Sequence, residues 1–273
     1  MTSVSGARSR FANGKPYKKL IQSEKGMVIR MNTVKFDNKK TLVVAHRGLS
    51  GLERENTNAA FVAAGNRPYY GIETDIWRTN DGRFAVNHDG NLQRVGGEQV
   101  SIESMSMDAA QKFVLFDTDG TKSRRDLRVP TLENYINICK KYEKVCVLEL
   151  KSVFTDEETR RFIDIIKDYD YLSNVIFISF HYEDLLKVRK VLPEQNVQFL
   201  TGDNSDELIS KLVADRMDID IAYPSLTKER VDAMHNAGLK INCWTVDSKD
   251  DAERLCDWGV DFLTSNILEG KSL

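Results

Sequence analysis

A closed (β/α)8 barrel, the TIM-barrel architecture in the α/β class, is the fold this sequence predicts. Three observations predict it. From residue 41 onward, short β-branched runs alternate with amphipathic helical stretches, the order expected of parallel strands joined by crossover helices. Eight strand-like runs are counted when a return strand at 83–88 is set aside as an excursion. At 273 residues the chain has the length of one such barrel. A doubly wound sheet is the alternative, but no G-x-G-x-x-G follows any strand.

The elements follow in order. Thr41-Leu42-Val43-Val44-Ala45-His46 reads as the first strand, and a helix begins near Asn56 with Ala59, Ala60, Phe61 and Ala64 as its small and apolar positions. The second strand, 72–78, meets the return strand 83–88 across Asn80-Asp81-Gly82, residues that tolerate positive φ and so signal a hairpin turn. A less regular insertion rich in Asp, Ser and Met occupies about 90–128. Pro130-Thr131-Leu132-Glu133 opens a helix through Tyr142, with Leu132, Tyr135, Ile136 and Cys139 along one side. Strands at 145–150, 175–180, 197–200, 219–223, 240–246 and 261–264 then alternate with helices at 156–168, 182–191, 205–214, 227–237 and 248–257. Gly238 stands where a helix C-terminal stop is expected.

Composition is that of a globular enzyme, 41% hydrophobic and 29% charged. Cys139, Cys146, Cys243 and Cys256 show no C-x-x-C spacing, so buried free thiols are expected. No apolar run reaches bilayer length and no secretory apolar region follows the N-terminus, which makes the cytoplasm the expected location. The net charge of −2 conceals an asymmetry: residues 1–40 carry ten basic side chains, from Arg8 to Lys40, against only Glu24 and Asp37. Residues 1–40 are therefore read as a basic N-terminal extension and 41–273 as the barrel domain, with no nucleic-acid partner expected and oligomeric state left open.

The hairpin carries the strongest chemical signal. Alternate strand residues share a face, so Glu73 and Asp75 point the same way, with Trp77 beside them as a pocket wall. Folding about the turn brings His88 roughly opposite Glu73. Chemistry in such barrels occurs at the C-terminal ends of the strands, and here those ends are polar: His46-Arg47-Gly48, Glu73-x-Asp75, Glu149-Leu150-Lys151, Ser179-Phe180-His181 and Trp244-Thr245. His181 is read as a loop residue and His235 as a surface or capping residue. Each remaining group has an ordinary structural explanation alone, His46 as a satisfied strand end and Lys151 as a counterion to Glu149. Together they suit phosphoester cleavage. Three carboxylates match a hard cation, Mg²⁺ or Ca²⁺, acting as a Lewis acid. Arg47 and Lys151 match phosphate oxygens. Of His46 and His88, one can deprotonate the nucleophile and the other protonate the leaving alkoxide.

These residues resemble the glycerophosphodiester phosphodiesterase family. His46-Arg47-Gly48, Glu55-Asn56-Thr57 with Ala60-Phe61, Glu73-x-Asp75, Thr79-x-Asp81-Gly82, His88-Asp89, Pro130-Thr131-Leu132, Glu149-Leu150-Lys151 and Trp244-Thr245-Val246 occur in the family's order across about 42–266. The resemblance implies a TIM barrel that hydrolyses glycerophosphodiesters to glycerol 3-phosphate and an alcohol. It implies His46 and His88 as the acid/base pair, and Glu73, Asp75 and Glu149 as ligands of one divalent cation. Arg47 and Lys151 would then engage phosphate, Trp244 would line the glycerol or alcohol site, and 90–128 would be the family's small extra subdomain. Leu92 and Arg94 fit the family's stretch after His88-Asp89, but three departures stand out: Arg54 where Pro is usual, Val95 where Thr is usual, and Thr264-Ser265-Asn266 in place of Thr-Asp. The competing expectations are a lysophospholipase D, for which Met105, Met107, Phe113, Val114, Leu115 and Phe116 would line an acyl channel, although these residues are read first as the insertion's own small core; a phosphatidylinositol phospholipase C-like lyase, against which the intact carboxylate set argues; and a catalytically silent phosphate-binding barrel.

Overall fold

The computed structural model describes residues 32–271. In chain order the elements are β1 (Val34–Phe36), β2 (Leu42–Ala45), α1 (Asn58–Gly65), β3 (Gly71–Arg78), β4 (Phe84–Val86), β5 (Asn91–Leu92), α2 (Gln93–Gly96), β6 (Glu98–Ser101), α3 (Met107–Ala110) and α4 (Leu132–Lys141). They continue with β7 (Val145–Leu150), α5 (Asp156–Asp168), β8 (Val175–Ser179), α6 (Tyr182–Val191), β9 (Val197–Thr201), α7 (Asp206–Ala214), β10 (Asp218–Ala222), α8 (Lys228–Asn236), β11 (Ile241–Trp244), α9 (Lys249–Trp258), β12 (Phe262–Ser265) and β13 (Leu268–Gly270).

Eight parallel strands close on themselves in the order β2-β12-β11-β10-β9-β8-β7-β3, and Val44 pairing with Gly71 seals the ring. That closure excludes the doubly wound alternative. Seven of the eight strands are followed by a crossover helix; after β12, among the described residues, comes β13 instead, in parallel pairing with β1. Residues 1–31 of the expected basic extension lie outside the described residues, whereas Val34–Phe36 is a strand with Phe36 in the core. The described fold thus takes in residues ahead of the boundary expected at residue 41. Buried Glu269 anchors this pair by accepting hydrogen bonds from Thr33 Oγ1 at 2.5 Å and from Lys35.

Local chemistry explains the elements. Thr57, Thr131, Thr155, Ser205, Thr227 and Ser248 each cap a helix N-terminus through the side-chain oxygen, and Thr131 and Thr155 complete capping boxes with Asn134 and Glu158. The main core lies between strands and helices, with Phe84, Phe154, Phe162 and Phe177 in edge or tilted contact. A second apolar set, Val44, Val147, Ile176, Ile178, Leu200 and Phe262, fills the inside of the barrel. The insertion has its own core: Leu92, Val95, Ile102, Met105, Met107, Ala110, Leu115, Leu127 and Val129 are buried together, with Phe113 packed against them. Most of the apolar residues considered as an acyl channel are used up in that core.

Candidate active site

Parallel strands deliver their C-terminal ends to one rim, and the turns that follow decide which side chains face inward. After β2 the chain turns sharply at Arg47, in left-handed backbone with φ 53°, and Gly48 at φ 74°. This conformation is costly for a residue with a Cβ. It aims the Arg47 N–H at Glu73 Oε2, 2.6 Å away, while the Gly48 N–H donates to the Glu73 carbonyl at 3.1 Å. Gly48 is obligatory for a second reason, since a Cβ there would lie 2.7 Å from Ala60.

Register places the carboxylates. Asp75 pairs with Glu149 across β3 and β7, and Glu73 lies one inward-facing position earlier. One ligand oxygen from each of Glu73, Asp75 and Glu149 lies within 4.8 Å of the others, and all three residues are buried. Burial, followed by repulsion from Asp75 and Glu149, pushes the Glu73 carboxyl well above its usual range. Burial, followed by Asp75, raises Glu149 to about 8. Burial opposes ionisation of Asp75 as well, but Arg47 and then Lys151 outweigh it and hold its carboxyl low. Lys151 Nζ donates to Glu149 Oε1 at 2.9 Å and lies 3.6 Å from Asp75 Oδ1; Arg47 Nε is 3.8 Å from Asp75 Oδ2. Asp75 Oδ1 is buried with no hydrogen-bond partner among the described residues.

The hairpin departs from expectation in register. Val86 pairs with Ile76, and the Asn87 N–H donates to the Asp75 carbonyl at 3.1 Å, so His88 falls one step short of Glu73 in a loop beyond β4. Trp77 is corrected too. β3 continues past its last pairing with β7, at Ile76, and from there packs against the insertion. Trp77 therefore joins the insertion core, and its Nε1 donates to the His88 carbonyl at 3.2 Å. It holds the loop of His88 instead of walling the pocket.

Each histidine has a different partner on Nδ1. His46 Nδ1 is 2.7 Å from Asn266 Oδ1, and the amide is oriented by Asn266 Nδ2 donating to Asp247 Oδ2 at 2.6 Å. Burial, then Arg47, lowers the His46 imidazole to about 4. His88 Nδ1 is 2.7 Å from a carboxylate, Asp89 Oδ1. Arg94 donates to Asp89 at 2.8 Å and, with two nitrogens, to Glu55 at 2.6 and 2.9 Å; Glu55 in turn accepts from Arg47 at 2.9 Å. Asn56, also in left-handed backbone, donates to Asp75 Oδ2 at 2.7 Å and accepts from Thr74 Oγ1 at 2.7 Å.

His46, Arg47, Glu73, His88 and Glu149 line one side of a cavity at the rim, and Ile178, Phe180, Leu200, Asp220 and Trp244 line much of the other. His181 is not among its lining residues, and His235 pairs with Asp261 at 3.0 Å.

Residues 46–268 match the Glycerophosphoryl diester phosphodiesterase family. The chain belongs to that family. A glycerophosphodiester phosphodiesterase of Caldanaerobacter subterraneus is 31% identical over 227 residues, 81% of this chain and 92% of that protein. One from Bacillus subtilis is 28% identical over 246 residues, 83% and 84% of the respective chains. In fold the chain resembles an Oleispira antarctica phosphodiesterase solved with the product sn-glycerol-3-phosphate, with TM-score 0.76 and 22% identity over 83% of this chain and 93% of that one. A Parabacteroides distasonis glycerophosphodiester phosphodiesterase gives TM-score 0.71 and 28% identity over 85% and 94%. As a family member the chain is a phosphoric diester hydrolase.

Several residues of this family member escaped the sequence reading. Asn56 was legible only as part of a tripeptide, and Arg94 and Asp89 only as fitting neighbours of His88. Asn266 was marked only as a departure from the family's Thr-Asp, and Asp220 carried no signal. The Arg54 departure acquires a contact: its guanidinium donates to the carbonyls of Phe116 and, at 2.7 Å, Asp117, tying the entry to α1 to the insertion. Val95 lies in the insertion core.

Proposed function

We propose that this enzyme hydrolyses small glycerophosphodiesters to glycerol 3-phosphate and an alcohol, with one divalent cation, Mg²⁺ or Ca²⁺, at Glu73, Asp75 and Glu149. The observation that carries the reading is the buried three-carboxylate cluster facing two histidines, an arginine and a lysine. The cluster fits a hard cation: its donors are all carboxylate oxygens, they are mutually close, and one, Asp75 Oδ1, has no partner. A bound divalent cation supplies Lewis acidity at a phosphoryl oxygen.

The side chains do the rest. Arg47 and Lys151 bind the remaining phosphate oxygens and orient phosphorus toward the histidines. The Asn266 amide presents an acceptor to His46 Nδ1, which therefore carries the proton and leaves Nε2 as a free base. His46 Nε2 takes the proton of the attacking oxygen as it bonds to phosphorus; water gives glycerol 3-phosphate directly, whereas attack by the glycerol's own hydroxyl gives a cyclic phosphate that water then opens to glycerol 3-phosphate. Asp89 Oδ1 accepts at His88 Nδ1 and orients the ring, and His88 gives a proton to the leaving alkoxide as the P–O bond breaks. Trp244 lines the glycerol side. The insertion residues 90–128 brace the loop of His88 and offer no acyl channel to the cavity, which favours small substrates over lysophospholipids. Free buried thiols at all four cysteines support a reducing compartment, the cytoplasm. No described helix is long and apolar enough to cross a membrane.

The test is turnover of glycerophosphocholine and glycerophosphoethanolamine with and without EDTA. Loss on chelation, restored by Mg²⁺ or Ca²⁺, is expected; undiminished turnover in EDTA would overturn the cation assignment.

A further inference from the structure

Among the polar side chains inside the barrel, Asp220 stands apart. Its neighbours satisfy one another: Asn242 Nδ2 donates to Gln198 Oε1 at 3.2 Å, and Thr264 Oγ1 donates to Asn242 Oδ1 at 3.1 Å. Asp220 sits beside them on β10, paired in register with Asn242 on one side and Leu200 on the other. It is 2% exposed, and its Oδ1 has no hydrogen-bond partner among the described residues. Buried polar groups are nearly always paired, and leaving one unpaired costs about 1–3 kcal/mol, so this carboxyl requires an explanation.

Its position supplies one. Asp220 lines the same cavity as His46, Glu73 and Glu149, on the half otherwise formed by Ile178, Leu200, Phe180 and Trp244. The Trp244 indole is held there by Nε1 donating to the Asp220 carbonyl at 3.3 Å, and Phe180 meets it edge-on with ring centres 5.7 Å apart. This half is apolar walls around a carboxyl group. A glycerol unit has matching chemistry, with C–H faces for the aromatic rings and hydroxyls that both donate and accept.

We propose that Asp220 is a specificity-determining residue that hydrogen-bonds a free hydroxyl of the substrate's glycerol unit, selecting glycerol-bearing diesters over diesters lacking that hydroxyl. The inference rests on the glycerophosphodiesterase reading above and assigns that site its hydroxyl recognition. Burial holds the Asp220 carboxyl well above its usual range, which keeps an O–H available for donation. A site built to bond a hydroxyl rejects the analogue lacking it by up to about 10⁴-fold, because its own polar group is then left unpaired.

The experiment compares kcat/KM for glycerophosphocholine, its analogue with 1,2-propanediol in place of glycerol, and bis(p-nitrophenyl) phosphate, in the wild-type enzyme, Asp220→Ala and Asp220→Asn, with melting curves for each. Wild type is expected to prefer glycerophosphocholine over the propanediol analogue by about a hundredfold or more. Asp220→Ala should lose most of that preference, its kcat/KM falling far more for glycerophosphocholine than for the propanediol analogue or bis(p-nitrophenyl) phosphate. Asp220→Asn, which also donates and accepts, should retain much of it. Equal losses on all three substrates, an unchanged preference, or a loss that follows the head group and not the glycerol hydroxyl would overturn the assignment. A wild-type enzyme that cleaves bis(p-nitrophenyl) phosphate but not glycerophosphocholine would instead overturn the glycerophosphodiesterase reading, and this inference with it.

Discussion

At the scale of single residues, ionisation and orientation are set by what each side chain meets. Period-two alternation marked Glu73 and Asp75 as sharing a face, and the polar strand ends marked His46 and Glu149. The same alternation could not separate Asp220 from a solvated strand residue, because the lumen of a barrel and bulk water both accept polar side chains at that spacing. Its burial has a consequence for pH. The folded-state carboxyl is raised above the unfolded one, so its contribution to stability is full below the unfolded value and is lost as pH rises toward the raised folded value. Asp220→Asn, which does not titrate, should match wild type in Tm near pH 4 and exceed it increasingly at higher pH; a constant offset across the range would contradict this. His46→Ala and His88→Ala should each lower kcat by about 10²–10⁴-fold with little change in Tm, and full activity in either variant would remove it from the acid/base pair.

At the scale of elements, the hairpin and insertion act as a bracket around His88. The turn was readable from Asn80-Asp81-Gly82, and Gly82 does adopt φ 74°. The register was misread by one residue, because turn residues locate a hairpin but its pairing is decided by packing, here Phe84 and Val86 in the main core. A side-chain contact between residues 39 apart, such as that from Arg94 to Glu55, has no local signature. Surface ion pairs contribute about 0–1 kcal/mol to stability, yet a catalytic group displaced by about 1 Å can cost about 10²-fold in rate. Arg94→Ala is therefore expected to reduce kcat tenfold or more while Tm changes little. Arg94→Lys should not restore it, since one ammonium cannot bridge both carboxylates as the fork does. Activity within twofold of wild type in Arg94→Ala would show that His88 is held without it.

At the scale of the molecule, strand and helix alternation was enough to read the eight-stranded ring, because each βα unit carries its own caps and apolar stripe. The β1–β13 pair was invisible: three-residue strands have too few positions to show a period, and Val34–Phe36 lies within a basic stretch that masks it. Glu269 accepts hydrogen bonds from Thr33 and Lys35 and lies 3.7 Å from Arg67. Removing such a buried acceptor costs about 1–3 kcal/mol. At about 2–4 °C per kcal/mol for a domain approaching this size, Glu269→Ala should lower Tm by about 2–12 °C, measured by calorimetry; an unchanged Tm would mean the pair does not stabilise the fold.

Asn266, which orients His46, lies between the last barrel strand and β13, so the two histidines reach working order at different moments of synthesis. His88 and all three carboxylates are translated by residue 149, but His46 waits for its amide until residue 266 has been made. A nascent chain emerging N-terminus first can assemble much of the carboxylate side of the cavity while its base still lacks its hydrogen-bond partner. On this view the base is set only when β12 and the turn that carries Asn266 have been made.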